Sequence, residues 1–385
     1  MMHSSKRTAA GMRCSPKSAP STTRKSKYNR GRANQNQQQD QVGKNQYNRT
    51  NGNGMIRMTT SGDSGYALYP MGALRQSKFT RSAARSSVRI GAYQIDIVDA
   101  VYRFRYLTAP QIAAVLDRHP DSVKRAVRGL YDARYLLRPR CQRDPAPWQT
   151  TPIYHAISAK GAELLREERG YNVPKNGFDA KESQEHIANW RHDTALSEFL
   201  VKLLVDVRKE GQLELLFPRD LLERGIIAPD VPWQPYAWKP LQWSTAKGTV
   251  VPDQAVMFQD PGRPEGQNRS LLLIELDRGT EAMERVRNDS NTIRGKLEKY
   301  IAAYGEGKHT ETFGVRNMRV AFVTTSQQRI HGMQRLLYDM GVERRMFLFS
   351  TIKETRECVS LLALSWADNR GDVAYLTRID RRGSG

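Results

Sequence analysis

The chain has 385 residues, with 61 lysines and arginines against 40 acidic residues and a formal net charge of +21. Its three cysteines are too few for a disulfide framework or a zinc site, and no apolar run approaches the roughly 18–20 residues needed to cross a bilayer. We therefore expect a soluble cytoplasmic protein whose basic excess favours polyanionic partners.

Residues 1–88 form a basic arm. They contain sixteen lysines and arginines but only two acidic residues, Asp40 and Asp63, and few large apolar side chains. Such a segment cannot bury enough apolar surface to offset the entropy of ordering, so we predict that it is disordered. Two interpretations stay open: a non-specific tether for phosphate groups, or a solvated tail with no dedicated role.

Residues 89–170 show three helical patterns, two short strands and a fourth helix. The first helix is predicted to end near Tyr106, Thr108 is a good N-cap for the second, and Asp121 opens the third. After the two strands, Ser158 is expected to cap the fourth helix. This order is typical of a winged helix-turn-helix, whose third helix contacts DNA.

Three cations lie on one side of the predicted third helix. Lys124, Arg125 and Arg128 are one turn apart, and the apolar residues of the helix lie on the other side. We expect these three residues to bind DNA. The alternative is a three-helix domain that contacts only protein.

Beyond a polar linker at residues 171–182, helices and strands alternate. This pattern predicts an α/β (α+β) fold in residues 183–352, with one mixed sheet flanked by helices, followed by a C-terminal extension at 353–385. The predicted elements are a helix at 182–209, strands at 213–217, 250–258 and 271–277, a helix at 281–304, a strand at 318–324, a helix at 327–340 and a strand at 346–349.

The second domain contains a candidate metal site. Side chains two apart on a strand share a face, so Glu275 and Asp277 are expected to point the same way. A neighbouring strand that begins at Asp253 could add a third carboxylate, and oxygen ligands of this kind suit Mg²⁺ or Mn²⁺. The alternative is that Glu275 and Asp277 form the N-cap and salt bridges of the next helix.

Three tryptophans recur every five positions, at Trp233, Trp238 and Trp243. On a flexible loop they could stack on unpaired bases; otherwise they seal one edge of the sheet.

The order Pro252-Asp253 followed by Glu275-Leu276-Asp277 resembles the PD-(D/E)xK nuclease superfamily, and implies a restriction-endonuclease-like domain. The superfamily has a lysine where this chain has Asp277. The resemblance then implies a lysine that has moved into the following helix, either Lys296 or Lys299. Lys296 fits better because Leu297 and Tyr300 follow it. Four residues would carry the catalysis: Asp253, Glu275, Asp277 and Lys296.

More narrowly, the chain resembles the replication-relaxation family, which includes mobilisation relaxases of the MobC type. The resemblance rests on Glu185-His186, His192-Asp193, Pro252-Asp253, the run from Glu275 to Thr280, and Lys296-Leu297 with Tyr300. It implies metal-dependent nicking of DNA in plasmid or mobile-element mobilisation, with Asp193 as a further metal ligand and Glu198 as its alternative.

The partners implied are double-stranded DNA with a single-stranded stretch at the nick site, and transfer or replication proteins; a homodimer stays open. The competing hypothesis is a DNA-binding regulator or accessory factor without enzymatic activity, built on a degenerate nuclease fold.

Overall fold

A computed structural model describes most of the chain from residue 78 onward, and the described residues belong to one compact unit, Ala73–Gly385. Most of the predicted basic arm and most of the linker lie outside the described residues, as do Glu185-His186, Trp233 and Trp238. The described residues are 78–82, 88–142, 152–171, 173, 187–227, 241–284 and 292–377.

Three helices open the structure: α1 (Ala92–Phe104), α2 (Ala109–Leu116) and α3 (Pro120–Asp132). Helix α1 ends two residues before the predicted position because Arg105 adopts a φ of 66°, which takes the chain out of the helix. The Thr108 hydroxyl accepts a hydrogen bond from the Gln111 N–H, which confirms the predicted N-cap of α2.

The same region contains a small sheet and a fourth helix. Strands β1 (Leu107–Thr108), β2 (Leu136–Leu137) and β3 (Tyr154–Ile157) form a three-stranded sheet in the order β1-β3-β2. Ser158 caps α4 (Ala159–Arg169), as predicted, by accepting a hydrogen bond from the Gly161 N–H at 2.9 Å. An added Cβ at Gly161 would lie 2.3 Å from the Tyr135 carbonyl oxygen, so this close approach requires glycine.

The rest of the described chain builds a seven-stranded sheet in the order β12-β11-β10-β9-β8-β7-β4, flanked by helices. Strands β8, β9 and β10 are parallel and the other neighbours are antiparallel, so the predicted mixed sheet is confirmed. The helices are α5 (Ile187–Glu210), α6 (Pro218–Glu223), α7 (Ile293–Gly305), α8 (Lys308–Phe313), α9 (Gln327–Asp339) and α10 (Ile352–Glu357). The strands are β4 (Glu214–Leu216), β7 (Gln254–Gln259), β8 (Arg269–Leu276), β9 (Met318–Thr324), β10 (Phe347–Thr351), β11 (Trp366–Asp368) and β12 (Val373–Ala374), with β5 (Trp243–Thr245) and β6 (Gly248–Val250) pairing in a separate hairpin.

The interior strand β8 is buried on both faces, which explains its continuous apolar run. Its even-numbered residues Leu272 and Ile274 belong to one hydrophobic cluster, together with residues of α1 and α5. Its odd-numbered residues Leu271 and Leu273 belong to a second cluster, with residues of α7 and α9. The sheet therefore separates two cores, and Glu275 lies on the side of α7.

Two predictions, of where a helix begins and of where the sheet domain ends, are corrected. The helix expected from Glu281 begins only at Ile293, and Glu281–Glu284 is not helical. The segment predicted as a C-terminal extension contributes β11 and β12 to the main sheet, because these short strands carry too few residues to show a periodic pattern. In the described part of the chain, no helix combines the length and the apolar character needed to span a membrane.

Candidate active site

Asp253, Glu275 and Lys296 meet at the C-terminal end of strand β8. Asp253 directly precedes β7 and continues its register opposite Glu275, because Gln254 pairs with Ile274. The Asp253 carboxylate accepts a hydrogen bond from the Leu276 N–H at 2.7 Å, which fixes it against the end of β8. The structure thus brings together three of the four catalytic residues predicted from the sequence.

Glu275 is buried, with 2% of its surface exposed, and both of its oxygens accept hydrogen bonds. Lys296 Nζ lies 3.1 Å from Oε2, and the Tyr300 hydroxyl lies 2.5 Å from Oε1. Lys296 and Tyr300 are four residues apart on α7 and therefore share a helix face. Burial and the charge of Asp253 raise the pKa of Glu275 to about 7, against the opposing effects of Lys296 and Tyr300.

Lys296 is held by acidic groups. Burial alone would lower its pKa, but the charges of Glu275 and Asp253 and a hydrogen bond to Glu281 raise the pKa above the ordinary lysine value. The amine therefore stays charged at neutral pH. A charged amine beside two carboxylates can donate to a phosphate oxygen.

A second cation, His192, contacts Asp253 from helix α5. Its Nε2 lies 3.1 Å from Asp253 Oδ2 and its Nδ1 lies 3.3 Å from Asp193 Oδ1. Burial would lower the pKa of His192, but these two carboxylates raise it to about 10. His192 therefore carries a positive charge at neutral pH.

Asp193 is the metal ligand predicted on α5, and the structure pairs it with a cation instead. Its Oδ2 lies 2.5 Å from Arg105 Nη1, at the turn that ends α1. Asp193 and Arg105 line a cavity of about 170 Å³, together with His192 and Asp253. Glu198, the alternative ligand, accepts a hydrogen bond from the Tyr154 hydroxyl at 2.6 Å. It also forms a salt bridge with Arg356 at 2.7 Å.

Asp277 does not join Asp253 and Glu275. Strand β8 ends at Leu276, and Arg329 of α9 binds the Asp277 carboxylate through two hydrogen bonds of 2.6 and 2.9 Å. The Thr324 hydroxyl and the Gly279 N–H also donate to it. The salt bridge to Arg329 matches the alternative interpretation of Asp277, but the expected helix cap does not, because the next helix begins at Ile293 and Thr292 caps it. Within the described ranges, no three His, Cys, Asp or Glu side chains are grouped so that they could hold a metal ion.

Glu281 is a site residue that was not predicted from the sequence. Its Oε1 lies 2.9 Å from Lys296 Nζ, and its other carboxylate oxygen is buried without a hydrogen-bond partner. Its backbone carbonyl accepts a hydrogen bond from Arg329 at 3.0 Å. The only sequence signal was a carboxylate six residues after Glu275, and the predicted helix start at Glu281 obscured it.

The predicted DNA-binding cations of α3 divide into two groups. Lys124 and Arg125 are exposed, and no ion pair joins either to another described residue. Arg128 is half-buried, donates to the buried Asp132 carboxylate at 2.9 Å and donates to the Thr80 carbonyl at 3.1 Å. Unlike Lys124 and Arg125, Arg128 is therefore held against the protein by its partners.

Comparison with known proteins tests the expected family. The replication-relaxation profile matches residues 99–317, more than half of the chain. The chain belongs to the replication-relaxation family. No curated protein matches it in sequence.

Among solved structures, a likeness was found to the structure of the restriction endonuclease FokI. The FokI chain is 10% identical to this chain in sequence, with a TM-score of 0.24, and the match covers 69% of this chain. The match spans 42% of the FokI chain, less than half of its length. A likeness this weak supports no conclusion about fold or function.

The region matched by the family contains every residue of the candidate active site. Asp253, Glu275, Glu281 and Lys296 lie within residues 99–317, whereas Arg329 lies outside them.

Trp243, the described member of the tryptophan series, is 5% exposed in β5 and donates to the Thr312 hydroxyl at 2.9 Å. The burial of Trp243 disfavours base stacking; its ring packs edge to face against Phe313 within the second hydrophobic cluster.

Proposed function

We propose that this member of the replication-relaxation family binds DNA and cleaves a phosphodiester bond at Asp253, Glu275 and Lys296. The observation that carries the proposal is the convergence of these residues: two carboxylates from adjacent strands, with a lysine amine 3.1 Å from one of them. Two carboxylates and a cation at the end of a buried strand need a reason, because burying charge is costly. Enzymes that transfer phosphoryl groups use carboxylates to hold a metal ion and a cation to stabilise the charge on the phosphate.

The donor set fits a divalent ion. Mg²⁺ is usually held by one or two carboxylates together with substrate phosphates and water, so Asp253 and Glu275 suffice without a third carboxylate. We leave Asp277 and Asp193 out of the set because arginines hold both. When bound, Mg²⁺ or Mn²⁺ would polarise the phosphate and lower the pKa of a coordinated water.

The residues of the chain would prepare this chemistry in three ways. Asp253 is oriented by the Leu276 N–H and by His192, so one of its oxygens has a fixed position. Tyr300 holds the other side of Glu275. Lys296, which is 28% exposed at its side chain, reaches solvent and can exchange Glu281 for a phosphate oxygen.

DNA binding would rest on the N-terminal helices. The order α1-β1-α2-α3-β2-β3, with its three strands in one sheet of order β1-β3-β2, supports a winged helix-turn-helix, in which α3 would be the DNA-contacting helix. Its exposed cations Lys124 and Arg125 would contact phosphates or base edges. The biological setting we propose, from the family, is replication or mobilisation of a plasmid or other mobile element.

A second candidate function is DNA binding without cleavage. Two observations favour it: both oxygens of Glu275 already accept hydrogen bonds within the protein, and Asp277 is closed off by Arg329. Such a protein would act as a regulator or accessory factor.

The test is nicking of supercoiled plasmid with Mg²⁺ or Mn²⁺. We expect the wild-type protein to nick, Glu275→Gln to lose nicking while it still binds DNA, and the exposed Glu343→Gln to behave as wild type. Calorimetric titration should show weaker Mn²⁺ binding by Glu275→Gln. Equal nicking by wild type and Glu275→Gln would refute the assignment, and DNA binding without any nicking would establish the second function.

A further inference from the structure

The turn between helix α1 and strand β1 has a strained backbone. Arg105, at its centre, adopts a φ of 66° and a ψ of −51°, and the Tyr106 N–H donates to the Phe104 carbonyl at 2.8 Å. This hydrogen bond encloses a single residue of positive φ, which makes the turn a γ-turn of the rare and strained kind. Glycine would adopt such a φ at lower cost, so an arginine at this position indicates a role for its side chain.

Helix α5 holds this turn with two side chains. The Ser197 hydroxyl, which is buried, donates to the Phe104 carbonyl at 2.6 Å. Asp193, one helical turn earlier, places its Oδ2 2.5 Å from Arg105 Nη1. The guanidinium also lies 5.4 Å from the centre of the Tyr106 ring, within cation–π range. The side chain of Arg105 is therefore held as firmly as its backbone.

From Asp193 the contacts continue to the candidate active site. The second oxygen of Asp193, Oδ1, lies 3.3 Å from His192 Nδ1, and His192 Nε2 lies 3.1 Å from Asp253 Oδ2. An unbroken series of contacts thus joins the α1 turn to a carboxylate of the site. The four side chains of the series line the same cavity of about 170 Å³: Arg105, Asp193, His192 and Asp253.

The last of these contacts bears on the direction of the Asp253 carboxylate. Its Oδ2 accepts from His192 and from the Leu276 N–H, which leaves Oδ1 for a metal ion or a water molecule. The N–H is fixed by strand β8, whereas the imidazole depends on its own partners. A ring held by hydrogen bonds at both nitrogens keeps one orientation, so the group that holds Asp193 also acts on Asp253.

We propose that Arg105 is a positioning residue for the cleavage reaction. It holds Asp193, which orients the His192 ring, and that ring sets the direction of the Asp253 carboxylate. The inference rests on the proposed function, because it concerns Asp253 as a metal-binding carboxylate. The turn at the end of α1 would thereby contribute to the cleavage site in the sheet region.

The positioning is tested first without DNA or metal, by amide hydrogen exchange of the full chain resolved to single residues. The Leu276 N–H is protected by its hydrogen bond to Asp253, so we expect slow exchange in the wild-type protein and loss of that protection in Arg105→Gln. Exchange at Leu273, in the interior of β8, should not change. Unchanged protection of Leu276 in Arg105→Gln, or loss of protection at Leu273 as well, would overturn the proposal.

Two further variants separate the guanidinium from the backbone. Arg105→Gly removes the side chain but keeps the turn, because glycine adopts a φ of 66° without strain, and it should expose the Leu276 N–H as Arg105→Gln does. Arg134→Gln is the matched control, since Arg134 also has a positive φ, of 68°, and is exposed. Wild-type protection of Leu276 in Arg105→Gly, or its loss in Arg134→Gln, would contradict the role given to the guanidinium.

The consequence for cleavage is tested by nicking rates at saturating plasmid with Mn²⁺. Partners that orient a metal ligand contribute about 10–100-fold to activity, so Arg105→Gln should lower the maximal rate by about tenfold or more. The KM for plasmid and the metal-free affinity for a labelled duplex should stay at their wild-type values. A weaker affinity with an unchanged maximal rate would mean that Arg105 contacts DNA itself, and would overturn the proposal.

The path of the effect is tested in a His192→Ala background, from its residual nicking rate. If Arg105 acts through His192, then Arg105→Gln lowers the rate no further there, and a second fall of similar size would overturn the proposal. Failure of the proposed function is seen separately, as a wild-type protein that does not nick. The exchange of Leu276 would in that case still decide whether Arg105 positions Asp253.

Discussion

His155 should make the stability of the protein fall between pH 7 and pH 5. It lies in β3 with 3% of its surface exposed, and its Nε2 accepts a hydrogen bond from Arg138 Nε at 3.1 Å. Burial and the neighbouring charge of Arg138 lower the pKa of His155 to about 3, from an ordinary value of 6.5. The folded protein therefore keeps the imidazole neutral where the unfolded chain takes up a proton.

The sign and size of the effect follow from this difference. A group whose pKa is depressed in the folded state stabilises fully above its unfolded pKa, and the stabilisation is lost as the pH falls below 6.5. At about 1.4 kcal/mol per pH unit, lowering the pH from 7 to 5 removes about 2 kcal/mol through this one residue. The figure requires only that the folded pKa lie well below 5.

Urea unfolding at pH 7 and pH 5 measures this contribution. His155→Gln keeps an acceptor for Arg138 but removes the titrating group. Between pH 7 and pH 5, the free energy of unfolding should therefore fall by about 2 kcal/mol less in His155→Gln than in the wild type. The control His331→Gln removes an exposed histidine from α9 and should follow the wild type. Parallel losses in wild type and His155→Gln would refute the reasoning.

Three further predictions concern other contacts. Arg329→Met leaves the buried Asp277 carboxylate without its cation and should lower the free energy of unfolding by about 3–5 kcal/mol, measured in urea; a loss below about 1 kcal/mol would contradict a paired buried charge. Lys296→Gln should abolish plasmid nicking while Lys299→Gln retains it, and the reverse result would move the catalytic amine to the other lysine. Gly161→Ala forces a methyl group against a backbone oxygen 2.3 Å away, and should lower stability by about 1–3 kcal/mol in thermal unfolding, where an unchanged Tm would contradict the close approach.

Local chemistry made much of the fold predictable. The caps at Thr108 and Ser158 form as expected because a hydroxyl before a helix satisfies a free N–H whatever the tertiary context. Strand β9 has its predicted bounds, since a buried apolar strand gives a strong signal. Strands β11 and β12 were not predicted, because they have only three and two residues and depend on pairing, β11 with β10 and β12 with β11, rather than on their own pattern.

The candidate site was predictable where strand periodicity applied and not beyond it. Asp253 and Glu275 share a face because both follow the register of β7 and β8. Asp277 was expected to join these carboxylates, but Arg329 of α9 binds its carboxylate, and the chain turns two residues later at Gly279, which has a φ of 77°. The same turn brings Glu281 back to Lys296, and no sequence periodicity describes a turn of this kind.

The shared core has a consequence for engineering. Residues Ile97, Val101 and Phe104 of α1 belong to the same hydrophobic cluster as Leu200 and Leu204 of α5. The rings of Phe104 and Phe217 lie 5.1 Å apart, edge to face, across this contact. The N-terminal helices are therefore not a portable module: grafted onto another protein, they would present to water an apolar face that only the sheet region of this chain covers.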